Sequence, residues 1–172
     1  MIPALPVLGV LGLVGIATWW KSRGTAMPTT ELGEHFTLAE LTRTSTGLPN
    51  DPTPEALNNL RRLVELVLQP LRENFGPVIV SSAYRGALVN AAVGGVAGSA
   101  HTEGRSADIF VDGVTNDELA EYLHGRTDLP LEEVIVEEHT GHLHVVVDKG
   151  PAPGAREFLV TEDGETYASF WT

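Results

Sequence analysis

The chain has 172 residues, and 11 Lys+Arg against 23 Asp+Glu give it a net charge of −12 at pH 7. That length fits one domain, and 42% apolar with 20% charged residues excludes wholesale disorder. Such acidity lacks the basic footprint of a nucleic-acid binder, so no nucleic-acid partner is expected. Cysteine is absent, which removes disulfides, thiolate metal sites and cysteine nucleophiles together. Any metal must therefore sit on His, Asp or Glu.

Residues 2–20 form a charge-free run, IPALPVLGVLGLVGIATWW, ended by Lys21 and Arg23. At about 1.5 Å per residue it is long enough to approach the ~30 Å hydrocarbon core of a bilayer. Trp19 and Trp20 fall where an interfacial aromatic belt would lie. The expectation is a transmembrane anchor over residues 1–21, a linker over 22–35 and a globular head over 36–172. A secretory signal cleaved near Gly24-Thr25-Ala26 is a poorer match, because no basic segment precedes the apolar run. A buried core or assembly helix is the third reading. Two cations after the span leave the topology open.

Thr37 caps a short helix in TLAEL, with Glu40 three residues on. Pro52-Thr53-Pro54 opens the longest helix, in which Leu57, Leu60, Leu63, Val64, Val67, Leu68 and Leu71 make one apolar stripe. Asn74-Phe75-Gly76-Pro77 ends it. Strands are expected at Val78 to Ala83 and Ala107 to Val111, separated by a Gly-rich loop over 86–100 with at most a short helix. A helix follows over Asn116 to His124, capped by Thr115 or Asn116. Val134 to Glu138 and His142 to Asp148 are strands joined by a tight turn, and an Asp163-Gly164 turn closes a final hairpin. The expected fold is α+β: a small mixed or antiparallel sheet flanked by helices, preceded by an N-terminal transmembrane helix.

The chemistry-bearing residues concentrate in two places. His139, His142 and His144 crowd EEHTGHLHVVVD, while His101 opens HTEGRSAD, seven residues before Asp108. Two imidazoles and a carboxylate suit catalytic zinc, leaving a coordination position for water. Hydrolysis also needs a carboxylate to take the water's proton. His142 and His144 share a strand face. A three-residue turn, His139-Thr140-Gly141, pairs Glu138 with His142, whereas a two-residue turn sets Glu137 opposite His144. Either register leaves one carboxylate beside an imidazole.

The segments SAHTEGRSADI and EEHTGHLHVVV resemble the zinc peptidases of the M15 D-alanyl-D-alanine carboxypeptidase group, whose superfamily includes hedgehog signalling domains. FTLAEL, LQPLRENFG, SSAYR and NAAVGG strengthen the likeness in order along the chain. The resemblance is strongest to the short M15 modules of phages and bacterial envelopes. It implies zinc on His101, Asp108 and His144, with Arg85 binding a substrate carboxylate or carbonyl through its forked guanidinium. It places Ser99 at a loop or substrate contact, and His142 beside the tetrahedral intermediate or behind the ligands. Many members carry the catalytic acid three residues before the last histidine ligand, where this chain has Gly141. Glu138, six before His144, matches the hedgehog spacing instead and is the implied base. Tyr84 is expected in the core, His139 in a turn, and His35 and His124 at the surface.

The resemblance thus implies a zinc metallopeptidase that cuts a peptidoglycan stem peptide next to a D-amino acid, as carboxypeptidase or endopeptidase. With the apolar run, it implies membrane attachment through residues 2–20, in a virion membrane or bacterial envelope, with virion proteins as possible partners. Because hedgehog domains keep the zinc constellation largely for binding, the competing expectation is a non-catalytic, zinc-stabilised virion or wall-binding module. A regulator that binds stem peptides without cutting them is a third.

Overall fold

The computed structural model describes residues 31–150 and 156–171. Among these residues five α-helices, α1 (Leu38–Leu41), α2 (Pro54–Leu63), α3 (Gln69–Phe75), α4 (Ala87–Ala92) and α5 (Asn116–Gly125), accompany six strands. The strands are β1 (Val78–Ser82), β2 (Ser106–Val111), β3 (Leu131–Glu137), β4 (His142–Val147), β5 (Glu157–Thr161) and β6 (Ala168–Ser169). One correction to the expected fold is needed. The α+β class holds, but among the described residues no helix is long and apolar enough to cross a membrane. The expected span, residues 2–20, lies outside the described residues. The longest helical run, α2 through α3, carries Glu55, Arg61, Arg62, Glu65 and Arg72 around its apolar stripe, which marks a helix lying on a core. The described residues thus give no support to the expected transmembrane element and membrane-anchored location.

That run starts where Thr53 accepts a hydrogen bond from the Ala56 N–H and Pro54 occupies the first turn, a position that needs no N–H. Between α2 and α3 the backbone widens into a π turn over Val64–Leu68, where the Gln69 N–H reaches the Val64 carbonyl. The extra residue keeps Leu63, Val64, Val67 and Leu68 all turned inward. Gly76, at φ 90°, ends the helix and releases the chain into β1. Truncating a side chain as buried as Leu60 or Leu63 to alanine costs about 2–5 kcal/mol. Leu32 and Phe36, ahead of α1, join the same core.

The strand order is β1-β2-β4-β3-β5-β6. All neighbours are antiparallel except β3 and β5, which run parallel, so the sheet is mixed. Alternation divides its two faces. Ile109, Val134, Val136, Leu143, Val145 and Phe158 point into the core shared with the helices. The opposite face of β2, β3 and β4 carries Asp108, Phe110, Glu133, Ile135, Glu137, His142, His144 and Val146. Helices therefore occupy one face and chemistry the other. Arg156 fastens the start of β5 by donating to the Leu123 carbonyl at 2.6 Å, at the electronegative end of α5.

Candidate metal centre

Three elements converge on one point. A single 3₁₀ turn, Ala100–Glu103, presents His101, while β2 supplies Asp108 and β4 supplies His144. Asp108 and His144 are direct cross-strand partners, so the sheet register alone brings them together. His101 needs the turn to be held against the sheet. Gly104 does this: it ends the turn at φ 72°, and a Cβ there would meet the Ala56 carbonyl oxygen at 2.5 Å. Only glycine lets the backbone lie that close to α2.

The three donors lie within 4.8 Å of one another and could hold a metal ion. The buried His101 ring donates from Nδ1 to the Ala83 carbonyl at 2.6 Å, which fixes its tautomer and leaves the Nε2 lone pair free. That Nε2 is 3.3 Å from Asp108 Oδ1. His144 Nδ1 donates to the same carboxylate oxygen at 2.6 Å. A tetrahedral ion bonded at about 2.1 Å holds its donors roughly 3.4 Å apart. The His101–Asp108 spacing meets that figure already, and the His144 contact must open by about 0.8 Å, a small side-chain rotation. Oxygen and imidazole donors, with no sulfur, suit zinc and its harder neighbours. The residues fit the ion.

Electrostatics agree with that assignment. Burial acts to raise the Asp108 carboxyl, but hydrogen bonds and charge from His101 and His144 outweigh it and hold the group well below the carboxylate range. Burial would lower His144, yet the bond and charge of Asp108, helped by Glu137 and Glu133, raise it. Glu133, half-buried with its Oε1 4.0 Å from His144 Nε2, is raised by burial.

A cleft of about 550 Å³ opens over the three donors. Arg85, Ser99, His142, Glu133, Glu137, Thr140 and Tyr167 line it, with Ile135 and Val146 as an apolar floor. Residues 34–146 match the peptidase M15 family. The chain belongs to the M15 peptidase family. No curated protein matches it.

In this M15 peptidase, Arg85, Ser99 and His142 thus lie around the three donors. His142 also stacks on Phe110, with ring centroids 5.8 Å apart. The hairpin register differs from both expected turns. Glu137 pairs with His142 and Ile135 with His144, so the turn has four residues, 138–141. Glu137 accordingly shares the site face, where Thr140 Oγ1 donates to its Oε2 at 2.9 Å. Glu138 is exposed in the turn, its N–H donating to the Thr161 carbonyl, and is not among the residues lining the cleft. Tyr84 is buried in the core and His139 sits in the turn. His35 hydrogen-bonds Gln69, and His124 packs edge-on against Phe158. Glu133 and Thr140 escaped the sequence reading. The period-two spacing of Glu133, Ile135 and Glu137 carried a signal for the first; the second depends on turn geometry.

Proposed function

We propose that the chain is a zinc-dependent peptidase that hydrolyses a peptidoglycan stem-peptide bond adjoining a D-amino acid. The observation that carries this reading is the convergence of His101, Asp108 and His144 in a cleft that also presents Glu137 and Arg85. The stem-peptide substrate rests on the resemblance of the two histidine segments to D-alanyl-D-alanine carboxypeptidases. When bound, the ion supplies an acidified water and polarises the scissile carbonyl.

The remaining work falls to side chains. Glu137 takes a proton from the attacking water and passes it to the departing amine, which needs a carboxylate on the cleft face within reach of the donors. Thr140 aims that carboxylate by donating to its Oε2, so the other oxygen is free to accept. Arg85 holds the substrate. Burial depresses its guanidinium, partly offset by Asp108 and Glu137, but it stays charged, since arginine titrates far above neutrality. Its Nε is buried and has no hydrogen-bond partner among the described residues. His142, on the same strand face as His144, borders the place where oxyanion charge develops.

The test is release of new amine termini and peptide fragments from purified sacculi by the full chain loaded with zinc. Cleavage that stops with a chelator and returns with zinc supports the reading. Intact sacculi across a range of pH and salt would sink it.

A further inference from the structure

His101 is the donor that the sheet does not supply. Gly104 lets its turn lie close to α2, and a second hold, toward the strands, comes from the next residue. Arg105 is only 5% exposed, and its guanidinium reaches three elements. Nε donates to Glu103 Oε2 at 2.7 Å, back onto the His101 turn. Nη1 donates to Glu132 Oε2 of β3 at 2.6 Å and to the Val147 carbonyl, at the end of β4, at 2.7 Å. The backbone joins the same parts. The Arg105 N–H donates to the Ala100 carbonyl at 3.0 Å, and its carbonyl accepts from the Val147 N–H at 2.9 Å. That last bond continues the register Ser106↔Val146 and Asp108↔His144. One residue therefore grips both the turn and the strand pair that carries the other two donors.

The surroundings are shaped to this side chain. The β3–β4 register slips at Glu132, between Leu131↔Val147 and Glu133↔Val146. A bulge re-aims a side chain, and here Glu132 and Glu133 both line the metal cleft, with Glu132 bonded to Arg105. Glu103 is held at its other oxygen by Lys149 Nζ at 2.8 Å, and its carbonyl accepts from Asn59 of α2 at 2.8 Å. The side chains of Glu103 and Glu132 are 37% and 48% exposed, where ion pairs add little to stability. Geometry is the stronger reason for the arrangement. A metal needs its donors within about 0.2 Å of their bonding distances. A planar guanidinium fork bonds two carboxylates and a carbonyl in fixed directions, which a lysine ammonium on its flexible stem does not.

We propose that Arg105 is a positioning residue for the metal centre. It clasps the His101 turn to β3 and β4 and so holds His101 Nε2 at 3.3 Å from Asp108. It acts through His101 and needs no contact with the ion. This role rests on the metal-binding reading of the three donors and is independent of which bond is cut.

The test uses the full chain with Arg105→Met, which loses the fork, and Arg105→Lys, which keeps the charge. In the metal-free protein, proton NMR follows the His101 Nδ1–H, which the Ala83 carbonyl holds. Its slow exchange with solvent should be lost in Arg105→Met and partly kept in Arg105→Lys. Zinc affinity, by competition with a chromophoric chelator, should fall about 10–100-fold for Arg105→Met and by less for Arg105→Lys. Lys149→Met also removes a pair to Glu103, but at a 67% exposed cation, and should stay within about twofold of wild type. Should Arg105→Met not fold, Glu103→Gln loosens the same clasp from the turn side and should cost about tenfold in zinc affinity. Wild-type exchange and affinity in Arg105→Met, or wild-type affinity in Glu103→Gln, overturn the clasp. An equal loss in Lys149→Met overturns it too, since net charge would then be the cause. A chain whose His101 proton depends on Arg105 but which takes up no zinc overturns the metal reading, and this role with it. One that binds zinc as tightly with Arg105→Met overturns the role alone.

Discussion

Glu137 and Glu138 are adjacent carboxylates with opposite surroundings, and strand alternation is the cause. Glu137 sits opposite His142 on the cleft face with Thr140 donating to it, while Glu138 begins the turn in solvent. Glu137→Gln should therefore lower turnover by about 10²–10⁴-fold with the fold intact, the range for loss of a general base. Glu138→Gln should cost less than about threefold on the same scale. Rates on a synthetic stem peptide check both, and the reverse ranking would return the base to Glu138. His144 gives a second expectation at this scale. Its pKa lies above the ordinary 6.5 because Asp108 holds its charged form, and that of Asp108 lies below 3.8 for the reciprocal reason. In the metal-free chain the Asp108 contribution is present above its ordinary value and lost as pH falls through the lowered one. The His144 contribution is complete below 6.5 and lost as pH rises through the raised value. Metal requires Nδ1 of His144 without its proton, so the ion competes with that proton and binds more strongly as pH rises. The melting-temperature gap between zinc-loaded and chelated protein should widen from pH 5 to pH 8. A constant gap would show that His144 gives up no proton to the metal.

Elements transmit these constraints through a few close approaches. Gly104→Ala sets a Cβ 2.5 Å from the Ala56 carbonyl and forces alanine to φ 72°. About 2 kcal/mol or more of stability should be lost, and His101 should shift off the donor triangle. Urea midpoints and zinc affinity would both fall; a variant with wild-type values would mean that the turn and α2 are not in contact. The helices were legible in sequence because each carries its own punctuation. Thr115 and Glu118 form the reciprocal cap that starts α5, and Gly76 ends α3. The metal donors were legible as residue types, and Asp108 with His144 followed once two strands paired. Pairing choices were less legible. Phe158 to Val160 reads as a strand, but nothing local says that its partner is β3, 24 residues upstream at Glu133↔Glu157 and parallel. The hairpin turn was misjudged because Thr140 stabilises a four-residue connection, accepting from the His142 N–H while donating to Glu137. Composition could not decide between turn lengths when Gly141 suits each of them.

At the scale of the whole molecule, the question is whether metal holds the fold or works within it. The core under the sheet contains Phe36, Leu60, Leu63, Leu71, Ile109, Leu119 and Leu143, all nearly or fully buried. The sheet that carries Asp108 and His144 is paired along its length by backbone bonds independent of the ion. Chelation should therefore leave the far-ultraviolet circular dichroism spectrum unchanged while lowering the melting temperature. With zinc at 100 times its dissociation constant the loss is about 2.7 kcal/mol, or very roughly 5–10 °C for a chain of this size. A zinc staple behaves differently. There the donors are the principal cross-links, and metal removal collapses secondary structure and tertiary packing together. Scanning the chelated protein by calorimetry and circular dichroism in parallel separates the cases. A cooperative transition at lowered temperature belongs to a preformed catalytic centre, and loss of the transition would make the ion structural.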